Sequence, residues 1–581
     1  MTAGVDSLTP HPTRWQSPAV VDREDVAALR GFTHLPIRLC ELLVRRGLAA
    51  GPDAAAFLRP SLDGLHPPSS LPDLPAAADR IEHAIAGGEG ILVHGDYDVD
   101  GMTGAAVLAG AIEELGGRVD AFVPHRTRDG YDLGGAGIAR ARRDGSTLIV
   151  TVDCGISAIG AVESARSHGI DVIVTDHHRP GPVLPSAAAV VDPAREGHDY
   201  PYGGLAGVGV AFKLVQELFA RRRLEQERLN RYLDLVALGT VADQAPLTGE
   251  NRVLVRFGLK VLDRTGRPGL RALMRVARVG EWSSVRASDI AFRLAPRLNS
   301  AGRIGEAEDG LRLLRTDDPV EADRLATEIE QINARRREAD REIFADARAA
   351  LDDTFDPVSD RLAVAWREGW HPGVLGIAAS RLVDRIGRPA ILVAVEGDRG
   401  RGSARSVPGF HLFDALSECA DLFDRFGGHA AAAGFDIAAV RLPELRARLL
   451  EGAASRLPAE PHRPASLVDL ELGLHELDAK FVRGFTHLEP FGNSNQVPLM
   501  AARGVRFDRI ETVGAEGEHL RAALTAGGVS LEAISFGDGS LADGLRTSPV
   551  RDVVFELHVE ERARGLRAQA HLVSISADAA P

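Results

Sequence analysis

The sequence predicts an α/β protein built in several parts. These are a doubly wound domain on a parallel sheet, a long linker helix, a second and smaller α/β domain, and a C-terminal OB-like β-barrel. Three observations lead to this prediction. Apolar runs of strand length alternate with helical segments between about residues 76 and 314, as βαβ units do. Residues 321–351 carry dense charge of both signs without Gly or Pro, and residues 465–575 read as short alternating strands with turns.

The 581 residues suit three or four domains of about 100–200 residues each. We predict a helical leader at 1–78, the doubly wound domain at 79–314, the linker helix at 315–352, the smaller α/β domain at 353–457 and the barrel at 465–581. The strands predicted for the doubly wound sheet lie at 91–94, 118–123, 147–152, 171–175 and 187–191, with a helix at 101–115 after the first. The smaller domain has predicted strands at 362–365 and 390–395. In the barrel they lie at 497–507, 519–525, 529–536, 553–559 and 566–575.

Composition constrains the class of protein. No apolar run approaches the ~18 residues of a membrane span, and the N-terminus lacks a basic region followed by an apolar core, so we expect a cytoplasmic protein. A formal net charge of −14 argues against a simple nucleic-acid binder. However, a metal site uses several carboxylates, and nearly all the cations are arginines, which grip phosphate with two hydrogen bonds. A local basic groove therefore stays compatible with an acidic chain.

Three of the predicted strands end in residue types that bind metals. Residues 91–101 read ILVHGDYDVDG, residues 147–155 read TLIVTVDCG, and residues 171–178 read DVIVTDHH. In an extended chain alternate residues face the same way, and carboxylates that close together repel unless a cation neutralises them. A lone Asp at a strand end is usually a cap or turn residue, but coincidence at three strand ends favours one metal centre. The candidate ligands are His94, Asp98, Asp100 and Asp153, together with the adjacent His177 and His178, of which only one need be a ligand; Asp96 is either a ligand or a turn residue.

A further candidate ligand is Asp243, which follows the apolar stretch LVALGTVA in residues 235–242. Mixed oxygen and nitrogen ligands at roughly octahedral sites suit Mn²⁺, and Mg²⁺ is the other option. Two such ions about 3.5–4 Å apart can activate water and stabilise the leaving oxygen in phosphoester hydrolysis. The residues thus predict a two-metal phosphoesterase.

The motifs DYDVDG, VDCG, TDHH and ALGTVAD resemble the successive motifs of the DHH phosphoesterase superfamily. FGGHAAAAGF, at 426–435, resembles the GGH motif of its accessory DHHA1-type domain. PRLNSAGR (296–303), GWHPGVLGIAASRL (369–382), GSARS (402–406) and PFGNSNQVP (490–498), with the leader, extend the resemblance over nearly the whole chain. The extended match resembles the bacterial single-strand-specific 5′→3′ exonucleases of that superfamily.

The resemblance implies two divalent ions, Mn²⁺ or Mg²⁺, held by Asp98, Asp100, Asp153, His177 and Asp243. His94 stands where related enzymes place a further ligand. His178 would face the scissile phosphate, and 5′-mononucleotides would leave one at a time.

Polarity requires a site that recognises the terminal 5′-phosphate, which suits arginines and hydroxyl or backbone donors. The resemblance implies that Arg126, Arg303, Ser403 and Arg405 bind it, with His429 in the same substrate-binding set. For Arg126, an ordinary surface arginine is an equally good interpretation. One departure is Asp192-Pro193, which stands where such proteins commonly have Asn-Pro.

The leading hypothesis is a single-stranded-DNA 5′→3′ exonuclease of recombination and repair. One alternative is a phosphodiesterase of the same superfamily acting on short oligonucleotides or cyclic dinucleotides; such enzymes normally lack the leader and the barrel. The other is a non-catalytic replication scaffold, which predicts eroded ligands. The expected partners are single-stranded DNA, a RecQ-type helicase and a single-stranded-DNA-binding protein, and the architecture favours a monomer.

Overall fold

A computed structural model describes residues 15–126, 128–281, 283–356, 358–462, 467–562 and 565–576. The chain divides into two bodies. One contains residues 17–331 together with the C-terminal segment from 467, and the other contains residues 332–466. Within the described residues, no helix has both the length and the apolar character to cross a membrane.

The leader consists of short helices that pack with the C-terminal barrel. They are α1 (Arg23–Thr33), α2 (Ile37–Arg45) and α3 (Pro52–Leu58), followed by 3₁₀ turns at Leu62–Gly64 and Pro68–Ser70. The Asp22 side chain caps α1 by accepting from the backbone N–H of Glu24. Leu29, Leu39 and Leu42 are fully buried in one apolar core with barrel side chains. The leader is therefore part of the barrel's hydrophobic core.

The next elements are the strands of a five-stranded, entirely parallel sheet and the helices that connect them. They are α4 (Leu74–Gly87), β1 (Gly90–Gly95), α5 (Val99–Glu114), β2 (Arg118–Phe122), α6 (Gly135–Asp144), β3 (Ser146–Val152), α7 (Ile159–Ser167), β4 (Asp171–Thr175) and β5 (Ala189–Val191). The strand order is β2-β1-β3-β4-β5. This confirms the doubly wound fold predicted from the sequence.

The centre of the sheet is buried on both faces because β1, β3 and β4 are apolar at most positions. Ile91 and Val93 of β1 point into one core, and Leu92 points into a second core on the other face. The strand order reverses between β1 and β3, since β2 lies beyond β1 and β4 beyond β3. In doubly wound folds such a reversal opens a crevice at the carboxyl ends of the strands, and this crevice is where ligands bind.

A helical layer follows the sheet. Its helices are α8 (Gly207–Arg221), α9 (Gln226–Asn230), α10 (Leu233–Ala242), α11 (Gly249–Leu262), α12 (Pro268–Ala277), α13 (Ala287–Asp289), α14 (Ala295–Ile304), α15 (Ala307–Arg315) and α16 (Pro319–Thr354), with a π turn at Ile290–Leu294. Helix α10 lies directly on α5. A Cβ atom at Gly239 would lie 2.3 Å from Thr103 Oγ1 and 3.0 Å from Asp100 Oδ1. Only glycine permits this approach, which brings the C-terminal end of α10 to the crevice.

The second body holds a mixed sheet. Its elements are β6 (Ala363–Glu368), α17 (Leu375–Ile386), β7 (Ala390–Glu396), β8 (Arg399–Arg405), α18 (Leu412–Ser417), β9 (Phe423–Gly428), β10 (Ala432–Ala438) and α19 (Leu442–Arg456). Strands β6 and β7 are parallel, and the remaining pairs in the order β6-β7-β8-β10-β9 are antiparallel. The apolar runs in the sequence predict β6 and β7, but no such run marks β8, β9 or β10.

The C-terminal segment closes into a barrel. Its elements are β11 (Leu470–Glu471), α20 (Ala479–Phe485), β12 (Leu499–Val513), β13 (His519–Ala526), β14 (Val529–Ser535), α21 (Ala542–Thr547), β15 (Val550–Arg562) and β16 (Gly565–Ile575). Strand β12 pairs with both β13 and β15, so five strands form a closed ring to which β11 adds at β12. The predicted OB-like barrel is confirmed. Phe481, Phe485 and Phe507 are in its core, whereas Phe536 is 60% exposed.

Candidate metal centre

The first carboxylates of the site come from the turn between β1 and α5. Asp98 is the N-cap of α5, and its Oδ1 accepts from the backbone N–H groups of Asp100 (2.9 Å) and Gly101 (3.1 Å). Asp100 stands in the first turn of the helix and is buried. Alternation along a strand is therefore not what brings these side chains together. The strand ends at Gly95, and a strand-to-helix turn aims both carboxylates into the crevice.

Asp100 is held by the N-terminus of a helix a hundred residues further along the chain. The N–H groups of Gly207 and Val208, at the start of α8, donate to its two carboxylate oxygens at 2.7 Å and 2.8 Å. Free amides and the helix dipole both favour a negative charge there. A Cβ atom at residue 207 would lie 2.6 Å from Asp153 Cβ, so glycine is also required for α8 to come this close.

Asp153 follows β3 and has a positive φ of 62°, a region that non-glycine residues seldom occupy. Its Oδ1 lies 3.0 Å from His177 Nε2 and 3.8 Å from His178 Nδ1. His177 Nε2 is also 3.8 Å from Asp100 Oδ2. The strand ends of β3 and β4 thus meet the turn after β1 in one place.

His178 is oriented by Asp176, which precedes it in the TDHH motif. The buried Asp176 Oδ1 accepts from His178 Nδ1 at 2.7 Å and from the backbone N–H of His177 at 2.7 Å. Its Oδ2 accepts from the N–H of Ile156 at 2.9 Å. The hydrogen bond to Asp176 raises the pKa of His178 to about 9, so its imidazole is protonated at neutral pH. The TDHH motif contains Asp176, but the sequence alone assigns it no separate role.

Three overlapping groups of side chains present ligand atoms within 4.8 Å of one another. They are Asp153, His177 and His178; Asp100, His177 and Asp243; and Asp96, Asp98 and Asp153. The structure therefore brings together the five residues that the resemblance matched as ligands. It also places Asp96, whose role the sequence left open, among them.

The electrostatics of these groups are those of a cation site. Burial and the neighbouring carboxylates raise the pKa values of Asp96, Asp100 and Asp153 above their ordinary range. Burial, together with the charge of Asp98, raises the pKa of Asp243 to about 7. Burial lowers the pKa of His177 to about 4, which leaves the neutral imidazole that a metal requires. One buried oxygen, Asp96 Oδ1, has no hydrogen-bond partner within the described structure, so the residues fit divalent cations.

His94 lies apart from these three groups. It is buried against Phe122, its Nε2 is 3.4 Å from the carbonyl oxygen of Asp132, and burial lowers its pKa to about 4. Its Nδ1 is buried and has no hydrogen-bond partner within the described residues. A ligand role for His94 stays a prediction.

A pocket of about 420 Å³ opens over the carboxylates. Arg126 and Arg303 line it together with Asp98, Asp153 and Asp243, and their role in binding phosphate stays a prediction. The Arg126 guanidinium lies 5.1 Å from the centre of the Tyr97 ring, a cation–π contact that fixes its position. A polar pocket with carboxylates at its base and arginines in its wall can hold a phosphate bridged to cations.

The remaining predicted substrate residues belong to the second body. Ser403 and Arg405 lie at the end of β8, where Arg405 Nη1 donates to Ser403 Oγ at 3.3 Å and to the Ala404 carbonyl at 2.8 Å. A Cβ atom at Gly376 would lie 2.5 Å from Arg405 Nη2, so α17 approaches them closely. His429 is exposed in the turn between β9 and β10, at the same end of that sheet.

The Asp192-Pro193 departure falls in the turn after β5. Asp192 is fully buried, and its Oδ1 accepts from the N–H of Ala194 at 2.7 Å. Burial raises its pKa to about 7. Asp192 therefore holds this turn as an asparagine would, and it is absent from the three ligand groups.

Comparison with known proteins agrees with this architecture. The family model described as the DHH family, N-terminal domain, matches residues 90–240; the DHHA1 domain matches 359–455; and the RecJ OB domain matches 468–573. The single-stranded-DNA-specific exonuclease RecJ of Bacillus subtilis (strain 168) is 37% identical over 547 residues, covering 93% of this chain and 68% of that protein. The crystal structure of RecJ from Thermus thermophilus in complex with Mn²⁺ aligns with a TM-score of 0.82 at 33% identity, covering 98% of this chain and 81% of that one. The Mg²⁺ complex of the same protein gives a TM-score of 0.77 at 31% identity, covering 98% and 80%.

Fold and site together define a DHH-type phosphoesterase with a DHHA1 domain and an OB barrel. Identity above 30% over most of both chains then specifies the group within that class. The chain belongs to the RecJ family.

Proposed function

We propose that the protein is a single-stranded-DNA exonuclease that removes 5′-mononucleotides in the 5′→3′ direction, in recombination and repair. The observation that carries the proposal is the meeting of two ligand groups, Asp100-His177-Asp243 and Asp96-Asp98-Asp153, at the switch point of the sheet. The relatives named above support single-stranded DNA as the substrate.

The metals that we propose are two divalent cations, Mn²⁺ or Mg²⁺, since RecJ of T. thermophilus binds both. Asp98, Asp100, Asp153, His177 and Asp243 would hold them, with Asp96 and His94 as further candidates. When bound, such ions supply an activated water and stabilise charge on the leaving oxygen.

The protein's own side chains would prepare the substrate for this chemistry. Protonated His178, fixed by Asp176, presents a positive charge at the pocket and can donate a hydrogen bond to a phosphate oxygen. Arg126 and Arg303 would bind phosphate groups in the wall of the same pocket, and Ser403, Arg405 and His429 would add to substrate binding. The amides at the start of α8 would keep the Asp100 carboxylate in place beside the other ligands.

We further propose that the predicted domains have different functions. Residues 79–314 and 353–457, joined by the helix at 315–352, would carry catalysis and end recognition. The leader and the barrel, 1–78 and 465–581, would hold the strand, and Phe536 is an exposed aromatic residue of the barrel suited to stacking on a base. The remaining expectations also stay part of this proposal: a cytoplasmic location, a monomer, and a RecQ-type helicase and single-stranded-DNA-binding protein as partners.

The test is a digestion of single-stranded DNA labelled at either end, in Mn²⁺, with duplex DNA and RNA as controls. We expect stepwise release of mononucleotides from the 5′ end of single-stranded DNA alone. Activity confined to dinucleotides would favour the small-substrate phosphodiesterase, and binding without cleavage would favour the non-catalytic scaffold.

The end-binding site is tested by comparing 5′-phosphorylated with 5′-hydroxyl strands. Arg303→Ala and Arg405→Ala should each reduce the preference for the phosphorylated end by about tenfold, because a charge-assisted hydrogen bond to phosphate is lost. Arg324→Ala is the control, since that arginine lies on an exposed helix face and pairs with Glu328. An unchanged end preference would remove Arg303 and Arg405 from the site.

A further inference from the structure

The motif PFGNSNQVP, at residues 490–498, has no role in the centre described above. It lies just before β12 and forms a loop closed by two backbone hydrogen bonds between Gly492 and Asn495, of 3.0 Å and 3.2 Å. The buried Asn495 side chain donates to the carbonyl groups of Leu488 (2.9 Å) and Pro490 (2.8 Å). These four bonds fix the shape of the loop.

The start of the loop is bound to helix α11 of the parallel-sheet domain. Arg252 is buried, and its Nη2 donates to the carbonyl groups of His487 and Glu489, at 3.0 Å each. Arg256 Nη1 donates to the Glu489 carbonyl at 2.6 Å. The entry into the barrel is thereby fastened to the domain that carries the carboxylates.

The tip of the loop reaches the segment that follows Asp243. Asn493 Nδ2 donates to the Gln244 carbonyl at 2.6 Å, and the Asn493 carbonyl accepts from the N–H of Leu247 at 2.8 Å. Asn493 therefore binds both ends of a four-residue turn. Gln244 has a positive φ of 60° and lines the pocket beside Asp243.

This contact bears on metal binding because the backbone of the turn after α10 sets the position of the Asp243 carboxylate. Asp243 is the C-cap of α10, and its N–H donates to the Gly239 carbonyl at 2.9 Å. Helix ends fray unless the following residues are held. The turn after Asp243 is held by the N–H groups of Gln244 and Ala245, each of which donates to a carbonyl of α10 at 3.2 Å, and by Asn493, which binds the carbonyl of Gln244.

We propose that Asn493 is a positioning residue of the metal centre: the barrel's entry loop holds the turn after α10, so that the Asp243 carboxylate keeps its place opposite Asp100 and His177. The inference rests on the proposed function of that site. If Asn493 has this role, the loop at 490–498 contributes to cation binding although none of its residues is a ligand.

The experiment measures Mn²⁺ binding without catalysis. Full-length Asn493→Ala is titrated with Mn²⁺, and the free ion is quantified by electron paramagnetic resonance, in parallel with wild type and Gln496→Ala. Gln496 is the matched control, an exposed side chain three residues further along the same loop. We expect the dissociation constant of Asn493→Ala to rise by about three- to tenfold, the effect of one lost hydrogen bond, and that of Gln496→Ala to stay at the wild-type value.

Thermal melting in EDTA separates positioning from general destabilisation. Both variants should melt within about 2 °C of wild type, since Asn493 is exposed and its carbonyl keeps its bond to Leu247. A wild-type dissociation constant in Asn493→Ala, or equal weakening in the Gln496 control, would overturn the proposal. Wild type is titrated beside the variants, so saturable Mn²⁺ binding is measured even if the protein digests no DNA. A failure of the positioning role is therefore distinguishable from a failure of the proposed nuclease function.

Discussion

Asp153→Asn should stabilise the metal-free protein while abolishing its nuclease activity. The oxygens of Asp96, Asp98 and Asp153 lie within 4.8 Å of one another. Two unit charges at that distance repel by about 3.5 kcal/mol at an effective dielectric constant of about 20. Partial protonation of these buried groups relieves some of that repulsion, which leaves a net gain of about 1–3 kcal/mol for the neutral amide. Asparagine also tolerates the positive φ at this position well.

The assay is thermal melting in EDTA, where this gain should raise the melting temperature of Asp153→Asn by about 2–10 °C. Asp199→Asn, an exposed residue outside the site, is the control and should leave it unchanged. Saturating Mn²⁺ should reverse the order, because a ligand at about one thousand times its dissociation constant stabilises wild type by about 4.1 kcal/mol, which exceeds the gain from the amide. An Asp153→Asn protein that melts below wild type in EDTA would refute the reasoning. It would mean that the carboxylate makes a net stabilising contact instead of belonging to a repelling cluster.

Two further predictions concern the parallel-sheet domain and the barrel. Arg252→Met should lower the free energy of unfolding by about 2–4 kcal/mol, because the carbonyl groups of Phe57 and His487 lose their donor. Urea unfolding followed by fluorescence measures this change. An unchanged unfolding midpoint would contradict the prediction. Burial and the stacked His558 lower the pKa of His571 to about 4, so the folded barrel disfavours its protonation. Stability should therefore fall as the pH drops from about 6.5 towards 4, and His571→Gln should show a weaker fall in pH-dependent melting; an identical profile would contradict this.

The sheet was predictable because its signal is local. Each of β1, β3 and β4 is an apolar run bounded by polar residues, and each lies within a residue of its predicted position. Strands β8 and β9 read RGRGSAR and FDRFGG, with glycines and charges in place of alternation. Strand β8 is held by its neighbours β7 and β10, and β9 is held by β10. The pattern of a single sequence does not contain this information.

The ligand types were predictable, but their geometry was not. Asp98, Asp153 and His177 follow apolar runs, so the sequence identifies them as residues at strand ends. The amides that hold Asp100 come from Gly207 and Val208, about a hundred residues away, and no local pattern marks that contact. Asn493, at the tip of the loop before β12, is likewise far from Asp243 in the sequence although the two are close in the structure. Such contacts follow from packing between distant elements, which is why the roles of Gly207 and Asn493 emerge only from the structure.

The metal centre includes a residue, Asp153, whose backbone and side chain are both in unfavourable environments that the surrounding packing enforces. Asp153 combines a positive φ with a buried carboxylate, and both features destabilise the metal-free state. Strand β3 before it is buried on both faces, and α8 packs against it through Gly207, so the backbone has no room to relax. This packing holds Asp153 in place, so that a cation would meet ligands that are already ordered. The free energy that would otherwise order the ligands then contributes to affinity, which explains why a small loss of order at Asp243 should appear first in the Mn²⁺ dissociation constant.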